Sequence, residues 1–383
     1  MPSKVLAAAL AGAALCTGAS LASADTLKFA YGHPPGSYFD IGVNAFADAL
    51  AENTDGGIKV RTFPLSLLNL METSDGIASG IVDFGALMTT LFPTEYPHTN
   101  LAMETAMILL QENGIDDDMQ GVLYGAAMTD FVLNDCPECN AEFAARNNVF
   151  TAGAASTPYS LNCTEPHVTP DDMTDARMRI SGSYWARWSQ AMGASPVTVS
   201  GNEMLEALSQ GLIDCVLLSV PDVFNFGMGD LVTDITPGIP GGIYVASYAQ
   251  VNRDTWAGLS LDARAAVMRA AATGAAEISM MYENGLRELR ARSEAGEIKA
   301  RFHDPDPALV EATRAFVARD IEQVVQHYAE TYGVQRGQAM VAALRLRVAE
   351  WRAHLEGVTT AEELAALYWD EILSEVDLAS YAQ

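Results

Sequence analysis

The chain is poor in basic residues. Its 383 residues include 22 lysines and arginines against 49 aspartates and glutamates, which gives a formal net charge of −27 at pH 7. Such an excess of negative charge repels nucleic acid and anionic membrane surfaces, so neither is an expected partner. It also repels anionic small molecules at long range. A carboxylate site must therefore be a local positive patch, such as an arginine at the end of a strand.

Long apolar runs are absent after the first residues, because no later run is long enough to cross a bilayer. Residues 1–24 contain one early charge, Lys4, then an apolar run and the small residues Ala22-Ser23-Ala24. This pattern is typical of a secretory signal peptide cleaved before Asp25. The sequence therefore predicts a soluble protein exported to a periplasm. Its remaining length is typical of two domains.

Cysteine is scarce, with five residues in the chain. The four beyond the predicted cleavage site are Cys136, Cys139, Cys163 and Cys215. An even number in an oxidising compartment predicts two disulfides. A local Cys136–Cys139 bridge would leave Cys163 with Cys215, although four cysteines allow three pairings. No thioredoxin-like pattern favours a redox role, and a zinc site would need two more ligands.

Catalytic motifs are also missing. The sequence has no nucleophile elbow, HExxH motif, phosphate-binding loop or paired-carboxylate signature. His33 and His167 are isolated, and such histidines are more often turn residues than catalytic bases. We therefore predict that the protein is not an enzyme and that it carries no cofactor or metal.

Strands alternate with helices in the stretch from Thr169 to Cys215. The predicted elements, in order, are a helix start at Thr169-Pro170, a strand over Arg177–Ile180, a helix over Tyr184–Met192 ended by Gly193, a strand over Pro196–Val199, a helix begun by a Ser200/Glu203 capping box and a strand over Leu212–Leu218. Such alternation predicts a mostly parallel sheet, whose ligand sites lie at the carboxyl ends of its strands. Arg179 lies close to such an end.

Other periodic segments complete the predicted architecture. They are a strand over Thr26–Tyr31, helices over Tyr38–Asn53 and Leu67–Ala78, strands over Ile58–Pro64 and Val149–Ala155, a long helix from Leu261 to about Ala295, and a last helix begun by a Thr360/Glu363 capping box.

The stretch from Thr169 resembles the substrate-binding proteins of TRAP transporters, the tripartite ATP-independent periplasmic uptake systems. Their usual pattern is close to TPEDLKGLKIRV, then a helix, then ALGANPVPMPFSEVYTALQQGVVDG. The residues in register with it, without gaps, are Thr169-Pro170, Asp172, Arg179, Met192-Gly193, Pro196-Val197, Glu203, Ala207-Leu208, Gln210-Gly211 and Asp214. A run of this length is far more specific than a lone short motif.

The resemblance implies an α/β fold of two domains, each a mixed, mostly parallel sheet flanked by helices. It also implies that the helix from Leu261 spans both domains and that extra helices follow it. The expected domains are 25–153 with 240–275, and 154–239 with 276–383, the latter including the C-terminal helices.

The resemblance also implies a function. In the family, the arginine that matches Arg179 forms a salt bridge with the ligand carboxylate; Arg177, on the same strand, is the alternative. We expect a periplasmic solute-binding protein, a monomer or weak dimer, that closes its domains on a small organic acid and docks on the small and large permease subunits. The alternatives are an ABC-type or sensor-linked binding protein, or an exported enzyme acting on an organic acid.

The chain departs from the family pattern in two places. Pro158 replaces a second arginine of many members, and Cys215-Val216-Leu217-Leu218 replaces a GQEN segment. Losing one cation and one amide favours a monocarboxylate with an apolar or aromatic body. The expected ligand contacts are Arg179, Ser181, Tyr184, Tyr159, Thr89, Thr90, Ser219, Phe224, Tyr244 and His33, with Trp185 and Phe226 as further aromatic candidates.

Overall fold

A computed structural model describes residues 25–112, 119–243 and 245–382. The predicted signal peptide, residues 1–24, lies outside the described residues. Within the described ranges, no helix combines the length and the apolar character needed to cross a membrane.

The strands lie in two separate sheets. In chain order they are β1 (Asp25–Tyr31), β2 (Ile58–Pro64), β3 (Phe84–Leu87), β4 (Asn148–Val149), β5 (Gly153–Ala155), β6 (Ser160–Cys163), β7 (Arg177–Ile180), β8 (Ser195–Thr198), β9 (Cys215–Leu218), β10 (Asp234–Pro240), β11 (Val245–Asn252) and β12 (Arg301–Phe302).

The helices surround these sheets and dominate the C-terminal third. They are α1 (Tyr38–Asn53), α2 (Thr73–Ala78), α3 (Pro97–Glu104), α4 (Ile108–Glu112), α5 (Gln120–Asp130), α6 (Pro137–Ala145), α7 (Ser183–Ala191), α8 (Met204–Ser209), α9 (Val220–Asn225), α10 (Arg253–Gly258), α11 (Leu261–Glu294), α12 (Pro307–Tyr332), α13 (Gly337–His354) and α14 (Ala361–Glu371).

The two sheets have related topologies. The first has the order β2-β1-β3-β11-β4, and β5 also pairs with β11. Strands β1, β2 and β3 are parallel there, whereas β11 runs antiparallel to its neighbours. The second has the order β12-β10-β6-β9-β7-β8, in which β7 is parallel to both β8 and β9. Each sheet is therefore mixed, as predicted, but the first is not mostly parallel, because three of its five pairings among the described strands are antiparallel.

The chain crosses between the sheets from β5 to β6 and from β10 to β11. The 34-residue helix α11 packs on α1 and α14 and also reaches α9 and β12, so it contacts elements beside both sheets. This is the long spanning helix that the sequence predicted. Its N-terminus is capped by the Ser260 hydroxyl, which accepts a hydrogen bond from the Ala263 backbone N–H.

The C-terminal helices differ in placement from the expectation. We predicted that they cover the second domain, but α13 packs against α5 and α14 packs against α11. The tail continues onto the first sheet, where the Tyr381 hydroxyl donates to the Phe150 carbonyl at 2.8 Å. This placement of α13 and α14 buries the rings of Trp351 and Tyr368 beside α5. The Trp351 indole N–H donates there to Asp130 at 2.9 Å. The domain boundaries remain a prediction.

Three predicted elements form differently. Helix α2 begins at Thr73 rather than Leu67, because the Asn69 side chain accepts the Met71 and Glu72 backbone N–H groups in a local turn. The strand predicted over Val149–Ala155 is broken into β4 and β5, opposite a register shift in β11. Ser200 precedes a 3₁₀ turn over Gly201–Glu203, but its side chain makes no capping hydrogen bond, because its hydroxyl donates to the Glu203 carboxylate at 2.5 Å; α8 starts only at Met204.

Other local predictions hold. Gly193 follows α7 with φ of +85°, a left-handed conformation that favours glycine. The Thr360/Glu363 capping box is present at the start of α14. Disulfides join Cys136 to Cys139 and Cys163 to Cys215, the latter pair on the neighbouring strands β6 and β9.

Candidate functional site

A cavity of about 100 Å³ lies between the two sheets. Its walls come from the ends of β1 and β3 on one side and from β7, β9 and the start of α9 on the other. This is the crevice beyond the carboxyl ends of the strands, where sheets of this kind bind ligands. Its described polar side chains are His33, Thr90, Ser156, Tyr159, Arg179, Ser181, Asp222 and Tyr282.

Arg179 enters the cavity from β7 and is only 8 % exposed. Its Nε donates to the Val199 carbonyl at 3.0 Å and its Nη1 to the Ser181 hydroxyl at 2.5 Å. Burial lowers the pKa of Arg179 from its usual value, but arginine stays protonated in proteins. Its Nη2 makes no hydrogen bond to any described residue, so a guanidinium edge is free for a ligand.

Arg177 is differently placed, although it lies two residues earlier on the same strand. Its side chain is exposed and forms an ion pair with Asp214, with Nε 3.0 Å and Nη2 2.5 Å from the two carboxylate oxygens. Its Nη1 donates to the Gly211 carbonyl at 2.6 Å. Arg177 does not line the cavity, and the alternative of a ligand contact there has no geometric support.

Asp222 brings a buried carboxylate to the same cavity. It lies in the first turn of α9 and is 7 % exposed. Its Oδ2 accepts from the Ser219 hydroxyl at 2.6 Å, and its Oδ1 accepts from Asn225 at 3.0 Å and from the Tyr282 hydroxyl at 2.7 Å. Burial raises the pKa of Asp222, while these three donors and the charge of Arg179 act in the opposite direction.

The first-sheet wall carries two polar atoms that lack partners among the described residues. They are the Nδ1 of His33 and the Oγ1 of Thr90, both buried. The His33 ring stacks on Phe39 with ring centroids 4.1 Å apart. Burial lowers the pKa of His33 to about 4, so the imidazole is neutral at pH 7. A bound ligand could supply the hydrogen bonds that both side chains lack.

The rest of the wall is largely apolar. Tyr159 stacks on Trp185 with ring centroids 4.4 Å apart, which fixes the phenol ring beside Arg179. Burial raises the pKa of the Tyr159 phenol, so its hydroxyl stays a hydrogen-bond donor. The apolar lining side chains include Phe39, Leu70, Met88, Met204, Phe226 and Ile278.

Five predicted contacts do line this cavity: Arg179, Ser181, Tyr159, Thr90 and His33. Tyr184 instead lines a smaller neighbouring recess that shares Thr90. Thr89 and Ser219 are buried beside the wall, where the Ser219 hydroxyl is used by Asp222. Phe224 packs against Gly229 outside the cavity, and Phe226 lines it instead. Tyr244 lies outside the described residues.

Asp222 and Tyr282 were missed by sequence reasoning. The segment Ser219-Val220-Pro221-Asp222 follows a buried strand and has a capping residue, a proline at the second helical position and an acid in the first turn. Those residues predict a helix start at the crevice edge. Tyr282 lies in the middle of α11, and nothing local in its sequence distinguishes it from a core tyrosine.

One group has the composition of a metal site. The side-chain ligand atoms of Cys163, His167 and Cys215 lie within 4.8 Å of one another. The two sulfurs are joined in a disulfide, so neither offers the thiolate that a metal requires. This group is better explained as a structural bridge beside a buried histidine.

The sequence model of DctP, the bacterial extracellular solute-binding protein family 7, matches residues 29–324. The chain belongs to this family. A solute-binding protein of Roseobacter denitrificans is 26% identical over 336 residues, which cover 84% of this chain and 96% of that protein. The match confirms the predicted TRAP family, and this is a transport family rather than an enzyme family.

Solved structures of this solute-binding family share the fold. An extracytoplasmic solute receptor of Bordetella pertussis that binds pyroglutamic acid has a TM-score of 0.69 at 19% identity, covering 84% of this chain and 100% of that one. A TRAP periplasmic protein of Bordetella bronchiseptica with bound mandelate also has a TM-score of 0.69, at 20% identity, covering 85% and 99%. The predicted two-sheet α/β architecture is therefore that of TRAP periplasmic solute receptors.

Proposed function

We propose that this TRAP solute receptor binds a small monocarboxylate through a salt bridge to Arg179 and closes its two domains around it. The observation that carries the proposal is the buried guanidinium in the cavity, whose hydrogen bonds go only to uncharged oxygens. A buried cation is costly unless an anion pairs with it. A carboxylate that accepts two parallel hydrogen bonds would fit the free edge of Arg179.

The wall composition favours one carboxylate on an apolar or aromatic body. Arg179 is the only lysine or arginine that lines the cavity among the described residues. The position where many relatives carry a second arginine is Pro158 here. Phe39, Met204 and Phe226 offer apolar surface to the rest of the ligand. Mandelate and pyroglutamate, which the two solved relatives above bind, are small acids with one carboxylate each.

Domain closure would desolvate the ligand from both sides. His33 and Thr90 contribute from the first sheet, whereas Arg179 and Tyr159 contribute from the second. Two strand crossings and α11 link the sheets, and these are the segments in which a hinge motion would be absorbed. The proposed domain boundaries near residues 153 and 240 lie close to these strand crossings, whereas the C-terminal helices α13 and α14 pack on the side of the first sheet. A closed, ligand-bound form would then dock on the permease subunits of the membrane.

A thermal-shift screen of the purified protein against organic acids tests the proposal. Any ligand carried through purification is first removed by reversible unfolding. An acid at about a hundred times its Kd should stabilise the folded protein by about 2.7 kcal/mol. The same acid should leave the melting temperature of Arg179→Met unchanged.

Arg177→Met is the matched control, because it removes an arginine from the same strand without touching the cavity. It should respond to the acid as the wild type does. The proposal fails if no acid shifts the wild-type melting temperature, or if Arg179→Met responds as strongly as Arg177→Met.

A further inference from the structure

Glu104 is the last residue of α3, on the side of the first sheet, and its buried carboxylate bonds three side chains of other elements. Its Oε2 accepts from the Nη2 of Arg187 at 2.9 Å, and its Oε1 accepts from the hydroxyls of Ser183 and of Tyr328, the latter at 2.8 Å. Arg187 and Ser183 belong to α7, which packs on β7 and β8 of the second sheet. The carboxylate of Glu104 therefore joins the two sides of the crevice.

These bonds lie next to the ligand cavity. Glu104 and Ser183 line the small recess that shares Thr90 with the cavity. Ser183 also lies two residues after Ser181, whose hydroxyl accepts a hydrogen bond from Arg179. The turn from β7 into α7 thus carries the proposed ligand arginine before it and a bond to the opposite side of the crevice after it.

Helix α12 crosses between the same two sides and begins on the side of the second sheet. Its first half and its middle are bonded to α7. The Thr313 hydroxyl accepts from the Trp188 indole at 3.1 Å, and the Asp320 carboxylate pairs with the Nε of Arg187 at 2.7 Å. This part of α12 is therefore fixed to the unit that carries Arg187.

The end of α12 is fixed to the side of the first sheet. The Tyr328 hydroxyl donates there to Glu104, and the next helix, α13, packs on α5, where the Trp351 indole donates to Asp130 at 2.9 Å. Tyr328 and α13 follow residue 324, where the match to the family model ends. Residues 308–332 of α12 include no proline or glycine, the residues at which helices most often kink.

We infer that Glu104 is a lock between the two sides of the crevice, which keeps the receptor closed before any solute binds. Separating the sides requires α12 to bend or the three hydrogen bonds of Glu104 to break. One hydrogen bond to a charged group shifts such an equilibrium by about tenfold to a hundredfold. A solute would then enter during transient openings. The inference goes beyond the proposed function, because it concerns the protein without a ligand.

Pulsed electron paramagnetic resonance measures how far the crevice is open, after any ligand carried through purification has been removed. Spin labels are attached to the cysteines of Met71→Cys and Leu205→Cys. Both positions are exposed, and they directly follow Leu70 and Met204, which line opposite walls of the cavity. The native cysteines of the described chain are in disulfides and take no label. The otherwise wild-type protein should give one short distance between the labels.

The variant Glu104→Gln keeps the side-chain shape but removes the charge. The ratio of open to closed protein should rise about tenfold or more, which adds a longer distance beside the short one. Asp320→Asn is the matched control, because it removes a carboxylate from the same Arg187 but leaves the three bonds of Glu104 in place. It should keep the wild-type distance, although it makes the protein easier to unfold.

Tyr328→Phe provides a milder variant in case Glu104→Gln folds poorly. It removes one of the three hydrogen bonds and should add a smaller population with the longer distance.

Three results would overturn the inference. The first is a mostly long distance in the unliganded wild type, and the second is an unchanged distance distribution in the folded Glu104 and Tyr328 variants. The third is equal opening of Asp320→Asn and Glu104→Gln, because these charges would then only stabilise the fold. Since no solute is present, none of these results bears on the salt bridge of the proposed function. A failure of all acids to bind would in turn leave the lock intact.

Discussion

Two arginines of this protein, the buried Arg179 and the partly exposed Arg187, lie within one strand–helix unit but have opposite surroundings. Arg187, on α7, pairs with Asp320 through Nε at 2.7 Å and with Glu104 through Nη2 at 2.9 Å. The hydroxyls of Ser183 and Tyr328 donate further hydrogen bonds to the Glu104 carboxylate. We call these five residues the Arg187 cluster. Arg179, on β7, contacts only the Val199 carbonyl and the Ser181 hydroxyl.

The difference separates a structural charge from a binding charge. The Arg187 cluster joins α3, α7 and α12, and its charges are paired within the protein. A buried ion pair of this kind is strongly destabilising to break, because the remaining partner is left uncompensated. Arg179 forms no direct ion pair with a described residue, although the Asp222 carboxylate lines the same cavity and attracts it, so its free edge is where an anion from outside is expected to bind. Three predictions sharpen or break this contrast.

The largest effect is expected from Arg187→Met. This change leaves Glu104 and Asp320 buried without their cation, which should lower the free energy of unfolding by about 3–5 kcal/mol. Equilibrium urea unfolding measures the loss. Arg292→Met is the control, because the ion pairs of Arg292 with Glu288 and Glu297 are exposed and such pairs contribute about 0–1 kcal/mol. Equal losses in the two variants would contradict the contrast.

The second prediction concerns the pH dependence of stability and His33. The pKa of this ring is about 4 in the folded protein against an ordinary value of 6.5. As the pH falls below 6.5, His33 becomes protonated in the unfolded chain, whereas in the folded protein it stays neutral until the pH approaches 4. Stability present above pH 6.5 is therefore lost towards pH 4, by about 3 kcal/mol for a shift of this size.

His33→Phe isolates this contribution, since phenylalanine can keep the stacking on Phe39. The free energy of unfolding, measured from pH 7 to pH 4, should fall less steeply in the variant than in the wild type. Parallel curves would mean that His33 is not held neutral in the cavity wall. The His33 ring would then not be the neutral, unpaired side chain described for the first-sheet wall of the cavity.

Local sequence predicted the strand that carries Arg179 and the helix that carries Arg187. The pattern Arg177-Met178-Arg179-Ile180 indicated a half-buried strand, and the family resemblance selected Arg179 over Arg177. The different surroundings of Arg177 and Arg179 could not be predicted from their spacing, because residues two apart lie on the same face of a strand. They depend on Asp214, distant along the chain, which lies beside Arg177 only once β7 and β9 pair.

The remaining site residues were harder to predict for the same physical reason. Thr90 follows a strand end, a position that lies at the crevice, whereas His33 lies in the turn after β1 and its strand-end position was not used to predict it. Asp222 and Tyr282 reach the cavity through the packing of α9 against α11, a tertiary contact that no local pattern encodes. Phe226 rather than Phe224 faces the ligand space because α9 ends at Asn225 and redirects the chain.

The smallest effect on stability is expected from Arg179→Met, and it is the sharpest test of the contrast. The variant loses two hydrogen bonds and the attraction to the Asp222 carboxylate, but it also relieves the cost of burying a cation that has no direct ion pair. These terms oppose each other, so the free energy of unfolding without ligand should stay within about 1 kcal/mol of the wild-type value. The same substitution type at Arg187 and Arg179 would then cost stability at one position and ligand binding at the other. A loss at Arg179 as large as that at Arg187 would show that the protein itself already supplies the missing partner, and the cavity would need no anion.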